Sequence, residues 1–563
     1  LRRHKALETL PWAACAVACW PLIRHGFPRG HDWILELVRV AEYQAALAAG
    51  QLPPAWAENL YGGYGSPVFL FYAPLFSAGA ALLGWALHSV ASGAALLLVV
   101  LTVIALVATR RMLARACAWP AAEAPGGIDA AAARVGVYVT LLHPYLLADK
   151  LVRNANAEFA ALCFVPIALE GVLRAGTRPR AAFAQVSGGL ALAILSHNLT
   201  ALVAVGLVLG AGLVLYPVGR GGRPWAVLGA AVAFALALTA FFWLPAVSLT
   251  SWIRTEDLLR GKFDFHRQFP DPAAVFGYGP FYATGLVTPA ALVAALAVAL
   301  RRRDDPRRRL WVGCLVAAAG CLFLLSPAST TVWETVPLLP LFQFPWRWLG
   351  PLALVTGLAA ALAYAGSMAA VRPRVREAVE WVVFGLCVLN ALPLLAQVRP
   401  LRPELRDRLP QILAPGAIRS GQRSVTVLDE YLPRGASPAV WKSRRPGQGP
   451  VEEVEGDADV KVIRDAGSRV ELRVTADAPV RVRVARWAFP GWRLALSGRT
   501  AAWRAAADGS IEIDVPAGET FVELRYRAPG SRRLGLGVSG LALAVWLAAL
   551  GGRRLWLGRA AAP

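Results

Sequence analysis

The 563 residues contain no Walker loop, no G-x-G-x-x-G opening a βα unit, no H-E-x-x-H and no C-x-x-C. ATP hydrolysis and nicotinamide chemistry therefore have no visible home. The histidines (His4, His25, His31, His88, His143, His197 and His266) are scattered and form no zinc triad. Cysteine is sparse. Cys15, Cys19, Cys117, Cys163, Cys314, Cys321 and Cys387 lie in or beside apolar runs, without metal-type spacing, and none falls between residues 399 and 533. They read as small buried hydrophobes with no disulfide framework. Negative charge is also short: 36 acidic residues stand against 58 basic ones, a formal charge of +22. In a soluble protein that excess would suggest nucleic acid. Here much of the arginine sits in short clusters between apolar runs: Arg110–Arg111–Arg115, Arg174–Arg178–Arg180, Arg220–Arg223, Arg301–Arg303 with Arg307–Arg309, Arg372–Arg374–Arg376 and Arg553–Arg554. The positive-inside rule explains that pattern, so no nucleic-acid partner is expected.

What the chain does have is apolar length. Hydrophobic residues make up 56% of it, and the mean hydropathy is +0.48. Apolar runs of about 16–22 residues recur from end to end, long enough to cross a hydrocarbon core of roughly 30 Å. Lipid cannot satisfy open backbone, so each span is a helix. The reading is a polytopic α-helical membrane protein of about 12 spans with both termini cytoplasmic. The spans fall near 8–24, 91–109, 132–148, 157–173, 182–196, 199–217, 225–247, 284–300, 310–325, 347–367, 378–397 and 534–552. Arg2, Arg3 and Lys5 precede the first run, and no clear cleavage site follows, so a retained span is expected there. The segment 66–87 is apolar enough to span, but crossing would put every later arginine cluster outside. It reads as an interfacial or re-entrant helix, rich in Pro67, Pro74, Phe69, Phe71, Tyr72 and Phe76.

The membrane module thus covers 1–398, with a last helix and tail at 534–563. Between them, 399–533 changes character. "RVELRVTA" (469–476), "VRVRVAR" (480–486), "IEIDVPAG" (511–518) and "FVELRYRA" (521–528) alternate with period two and are bounded by Gly and Asp-Gly turns. That signals antiparallel strands, here a linker followed by an extracytoplasmic β domain of the sandwich type.

With the arginine clusters inside, several polar segments share the outer face. "HPYLLADKLVRNANAE" (143–158) packs Asp149, Lys150, Arg153, Asn154, Asn156 and Glu158 into ten residues between apolar runs. It reads as an outer connection facing a cavity, although a solvated loop with an internal ion pair would look the same. Glu158 stands at the mouth of a span, where charge is expensive and usually functional. Residues 32–49 form an amphipathic interfacial helix, with Asp32, Glu36, Arg39 and Tyr43 on its polar face. Asp32 lies just after the first span, as a functional acid or only as the N-cap. His197–Asn198 interrupts a long apolar stretch, as a hairpin turn capped by Asn198 or as a polar pair on the cavity wall. Arg347 follows "FPW" where a span begins. It is either a snorkelling arginine or a bidentate clamp for a lipid-linked phosphate.

The segments "HDWILELVRVAEYQAALAAGQLPPAWAENLYGGYGSPVFLFYAPL", "HPYLLADKLVRNANAEFAAL", "LSHNLTAL", "FQFPWRWL", "DEYLP" (429–433) and "FPGWRLALSG" (489–498) resemble a bacterial membrane family labelled 6-pyruvoyl-tetrahydropterin-synthase-related. That family looks like a branch of the GT-C glycosyltransferases. The resemblance implies an inverting glycosyl transfer at the outer membrane face. The donor would be a polyprenyl-phosphate sugar and the acceptor an envelope glycan, lipid or protein. It implies Asp32 as first candidate for the base and Glu158 as second. Arg153, Asn156, His197, Asn198, Arg347, Glu36, Arg39 and Tyr64 would bind substrate. The chain departs from better-known members in lacking a clear D-x-D or W-W-D-type motif. A divalent cation is the one cofactor the acids would admit, with Asp149 and Glu158 as its ligands. The competing readings are a non-catalytic scaffold and a lipid-linked glycan transporter, each with a glycan-binding β domain.

Overall fold

A computed structural model describes residues 2–557, apart from 122–125, 220–221, 422 and 427–428. Arg220, one of the clustered arginines, lies outside the described residues. The first half of the chain is helical: α1 (Arg2–His25), α2 (Trp33–Ala48), α3 (Leu75–Ala86), α4 (Val90–Ala118), α5 (Gly127–Leu141) and α6 (Pro144–Ala148), then a π-turn over Asp149–Arg153, α7 (Asn156–Arg174), α8 (Pro179–Ser196), α9 (Asn198–Leu215), α10 (Gly222–Leu238) and α11 (Ala240–Ser248). A short α12 (Pro272–Val275) precedes α13 (Val287–Arg301), α14 (Arg308–Leu324), α15 (Thr330–Thr335), α16 (Leu349–Met368) and α17 (Pro373–Leu395).

Six of the described helices are long and apolar enough to cross a membrane, and up to nine spans result if each bent helix pair counts as one. The bends are 47° between Gly127–Leu141 and Pro144–Arg153, 75° between Gly222–Leu238 and Ala240–Ser248, and 90° between Arg308–Leu324 and Pro327–Thr335. α8, α13 and the closing helix α21 (Gly530–Leu557) occupy the other three stretches read as spans. The protein is a polytopic helical membrane protein with a C-terminal β domain.

The stretch 66–87 contains a 3₁₀ turn at Val68–Leu70 and the 12-residue α3, which at 1.5 Å per residue reaches only about 18 Å. α3 packs on α4 through glycine: a Cβ on Gly93 would lie 2.3 Å from the backbone nitrogen of Gly84. At the α1 N-terminal end of the bundle, buried arginine is neutralised by acids from other helices. Arg134 donates to Glu8 at 2.6 Å and, through Nε, to Glu380 at 2.6 Å, and Arg110 also pairs with Glu8.

After α17 the chain forms α18 (Pro403–Ile412), α19 (Pro415–Ser420) and α20 (Pro438–Ser443) before the strands begin. These are β1 (Val451–Glu455), β2 (Asp459–Ala466), β3 (Arg469–Ala476), β4 (Val480–Trp487), β5 (Trp492–Leu496), β6 (Arg499–Ala501), β7 (Arg504–Ala505), β8 (Ser510–Val515) and β9 (Gly518–Tyr526). They make two antiparallel sheets, ordered β1-β4-β8-β7 and β2-β3-β9-β5-β6. Alternate residues turn inward: Val470, Leu472 and Val474 from one sheet, and Val482, Ile511 and Ile513 from the other, are buried. This is the sandwich that the period-two alternation predicts. β5, inside the "FPGWRLALSG" segment, and β6, just after it, are too short and mixed to show that alternation.

The sandwich is fastened to the α1 C-terminal end of the bundle. Arg486 donates to the carbonyl of Gly63 at 2.9 Å, and Trp56 packs among Phe489, Trp492 and Tyr526. Arg532, just after β9, donates to the carbonyl of Pro54 at 2.7 Å.

Candidate functional site

Between α1 and α2 the chain turns through Gly30, His31 and Asp32. The backbone N–H of His31 donates to Val152 O at 2.9 Å, and that of Asp32 to Arg153 O at 3.0 Å. The first interhelical turn is thus tied to the π-turn of the 143–158 stretch. Asn154 follows that turn in the left-handed region (φ 59°), and Asn156 opens α7. The π-turn carries Arg153 toward Asp149 (2.6 Å), and Arg153 also donates to the Tyr145 hydroxyl at 3.0 Å. Tyr145 in turn donates to Glu158 at 2.6 Å. Glu158 lies 3.7 Å from Arg153 and 3.5 Å from Arg347. Arg347 is held in place by donating to the carbonyl of Phe342 at 2.7 Å.

α2 supplies the other wall. Glu36 and Arg39 pair at 2.5 Å, and Arg39 also donates to the carbonyl of Val425 at 2.7 Å. Its guanidinium lies 3.6 Å from the centroid of the Tyr72 ring. Tyr431, stacked on Phe71, lies within electrostatic reach of both Arg39 and Arg347.

The result has two levels. Glu36, Arg39, Asp149, Arg153, Asn156 and Glu158 form a buried floor. Asp32, Tyr72, His197, Arg347 and Tyr431 are half-buried above it. Asp32 is the acid that keeps contact with solvent. Burial raises its pKa above the usual carboxylate value, against the opposing pull of Arg153, Arg39, His31 and Arg347. Burial likewise raises the pKa of Glu36, while Arg39 opposes it.

Several expectations need correction. The stretch 143–158 is not a connection facing open water: Asp149, Lys150, Arg153, Asn154, Asn156 and Glu158 are all buried, Arg153 pairs with Asp149 and Glu158, and Lys150 donates to the Ala18 carbonyl and the Thr102 hydroxyl. Glu158 is 3% exposed and enclosed by Tyr145, Arg153 and Arg347, so it is not the wall of an open cavity shared with Asp32. α2 is not a surface helix with a wet polar face. Glu36, Arg39, Glu42 and Tyr43 are buried, with Asn59, Phe69 and Tyr72 of the segment 51–72 and the carbonyl of Val425 packed against them. Asp32 makes no side-chain capping bond. At 197–198 the cap is His197 rather than Asn198: its Nδ1 accepts from the Thr200 N–H at 3.3 Å. Asn198 is exposed and donates to the carbonyl of Phe71 at 3.2 Å. Tyr64 is not brought to this cluster; it stacks on Trp487 of β4 at 4.1 Å.

Asp149 and Glu158 do not fit a divalent cation. Arg153 contacts both carboxylates, and Arg347 also faces Glu158, so a cation there would meet two guanidiniums. Among the described residues no group of three or more His, Cys, Asp or Glu is placed to hold a metal.

Sequence reasoning overlooked Tyr145 and Tyr431, although "HPYLL" and "DEYLP" contain them. A tyrosine beside a run of ionisable residues is a weak signal until the partner is known.

Two cavities bear on the cluster. A groove of about 940 Å³ is lined by Ala41, Gln44, Ala45 and Ala48 of α2, with Arg24 and Arg406. Those α2 positions lie on the helix face opposite Asp32, Glu36 and Arg39 at 100° per residue, so α2 separates that groove from the cluster. A second groove, of about 520 Å³ and apolar, runs between α5, α13, α16 and α17 and ends at Tyr278, Leu286 and Asn390. The adjoining Phe281 packs on His31 at 4.8 Å and on Trp346 at 5.4 Å, the neighbours of Asp32 and Arg347. The segment 278–281 thus runs from the groove, at Tyr278, to the neighbours of Asp32 and Arg347, at Phe281.

No family model matches the chain, and no curated protein does. Among solved structures, the arabinofuranosyltransferase AftD from Mycobacteria is similar over 71% of this chain and 27% of its own, with 19% identity and a TM-score of 0.45. ArnT from Cupriavidus metallidurans, bound to undecaprenyl phosphate, is similar over 74% of this chain and 70% of its own, with 17% identity and a TM-score of 0.44. The archaeal oligosaccharyltransferase AglB from Archaeoglobus fulgidus, in complex with an inhibitory peptide and a dolichol-phosphate, is similar over 70% of this chain and 56% of its own, with 13% identity and a TM-score of 0.40. The chain thus spans about a quarter of AftD's length. These likenesses are too distant to assign a site, and the reading below rests on the residues described above.

Proposed function

We propose that this protein is a membrane glycosyltransferase of the GT-C type, moving a sugar from a polyprenyl-phosphate donor to an extracytoplasmic acceptor. One observation carries the reading. A half-buried carboxylate, Asp32, lies among three guanidiniums, Arg39, Arg153 and Arg347.

In this reading the polyprenyl chain lies in the α5–α13–α16–α17 groove and the phosphate faces Arg347. Asp32 accepts the proton of the acceptor hydroxyl as its oxygen attacks the anomeric carbon. The bond from that carbon to the phosphate oxygen breaks, and the electron pair leaves with the polyprenyl phosphate. Arg347, half-buried, and Arg153 behind it stabilise the developing negative charge. Glu158 has a different role from the one its sequence position suggests. It holds the two guanidiniums in place and does not touch the sugar. The donor supplies its own leaving group, so the reaction needs no ATP.

The test is turnover of defined polyprenyl-phosphate sugars by purified protein, wild type against Asp32→Asn. Turnover by wild type that collapses in the variant supports a transferase. Donor binding without turnover in either protein favours a non-catalytic scaffold or transporter.

A further inference from the structure

Tyr64, absent from the Asp32 cluster, marks a second place where polar groups converge. Its ring is buried and stacked on Trp487 at 4.1 Å, with interplanar angle 20°. Its hydroxyl is buried and has no hydrogen-bond partner. The Arg444 guanidinium lies 5.4 Å from its ring centroid, and Asp508 and Arg483 lie within electrostatic reach of the hydroxyl. Those three side chains also line a cleft of about 720 Å³ between the end of α20 and the sheet β1-β4-β8-β7. A buried hydroxyl normally finds a partner. Nε of Arg483, on the cleft wall, is also buried without one.

The chemistry of the walls selects the ligand. Ser443, Arg445 and Gln448 join Arg444 and Arg483 as donors, and Glu452 and Asp508 supply carboxylate oxygens. Glu452 is ion-paired to Arg444, and Asp508 lies 3.7 Å from Arg483. Donors and acceptors thus share one opening. A lipid would find little apolar wall, since Val440 and Pro446 are the cleft's main apolar residues. A phosphate would face the two carboxylates. Hydroxyl groups both donate and accept, and they match such a surface. The volume lies within the roughly 300–1,000 Å³ of ligand clefts.

We infer that the cleft formed by α20, β1, β4 and the β7–β8 turn, with Tyr64 behind it, binds a saccharide at a site separate from the Asp32 cluster. The inference concerns binding alone and holds whether or not that cluster transfers a sugar.

The test uses the full-length protein in detergent micelles. It is labelled fluorescently and applied to an array of neutral, uronic-acid and sulfated oligosaccharides beside a peptide library. The expected result is binding to neutral or uronic-acid oligosaccharides that persists at high salt. Asp508→Asn and Arg483→Gln should each weaken it about tenfold. Arg445→Ala, on an exposed side chain, should also weaken it without touching the internal ion pairs. Glu519→Gln, exposed on β9 of the other sheet, should bind as wild type does, and thermal unfolding of each variant shows that it is folded. The inference is overturned by no oligosaccharide binding, by binding only to sulfated members that disappears at high salt, or by binding only to peptides. Affinity unchanged in all three cleft variants overturns it as well.

Discussion

The backbone N–H of Asp32 donates to the carbonyl of Arg153 at 3.0 Å. An acid from the turn between α1 and α2 and a basic residue from the π-turn between α6 and α7 are thereby fixed to one another through their main chains. Neither position depends on the side chains finding each other.

The approach is close enough to require glycine two residues earlier. A Cβ on Gly30 would lie 2.1 Å from Oδ1 of Asn154 and 2.4 Å from the carbonyl oxygen of Val152. Gly30→Ala should separate the turns, with a cost of about 1–3 kcal/mol, the range for overpacking. A lowered unfolding midpoint and reduced turnover would show it. A wild-type midpoint would mean that the two turns yield more easily than their hydrogen bonds imply.

Asp32→Asn should preserve folding and lower turnover by about 10²–10⁴-fold, the usual worth of a general base. The pH profile adds a sign. A base works deprotonated, and burial places the Asp32 pKa above the ordinary carboxylate value. Activity should therefore fall as pH drops through a value higher than that of a free aspartate. Residual activity in Asp32→Asn should lack this acid limb; its persistence there would assign the limb to another group.

Glu158→Gln should act on stability as well as activity. Glu158 faces both Arg153 and Arg347 from a buried position. Removing one partner of a buried charge pair typically costs about 3–5 kcal/mol. A variant that unfolds like wild type but turns over slowly would instead make Glu158 a group that contacts substrate.

Glu42 gives a stability test away from the chemistry. Burial raises its pKa to about 7, although Asn59 donates to both its carboxylate oxygens. The folded state then holds the proton more tightly than the unfolded state. Its contribution is full below the unfolded pKa and is lost as pH rises through about 7. Glu42→Gln should therefore gain thermal stability relative to wild type between mildly acidic and alkaline pH. An unfolding difference independent of pH would contradict this.

The membrane orientation read from arginine is open to labelling. Single cysteines replacing Gly127 and Asp477, both exposed, should be modified from opposite sides of the membrane. Labelling of both from one side would reverse the threading.

The helices and the sandwich were legible because both leave periodic marks: apolar runs near span length, and period two in "RVELRVTA" and "VRVRVAR". The residues of the cluster were legible as types, since carboxylates and arginines are rare beside such runs. Their burial was not. Nothing in "HPYLLADKLVRNANAE" tells that Arg153 will be shared by Asp149, Tyr145 and Glu158, because each partner is set by the π-turn. Nor does "ENLYGGYGSP" show Tyr64 turning toward β4. That direction depends on a sheet more than 400 residues later.

Arg39 donates to the carbonyl of Val425, 386 residues further along the chain. A ribosome making this protein from its N-terminus therefore places most of the helical bundle in the bilayer before the last piece of the cluster exists. Until the stretch carrying Val425 and Tyr431 has emerged and folded back, the Arg39 guanidinium lacks one of its acceptors. Synthesis itself keeps the cluster incomplete until the ribosome has passed Tyr431.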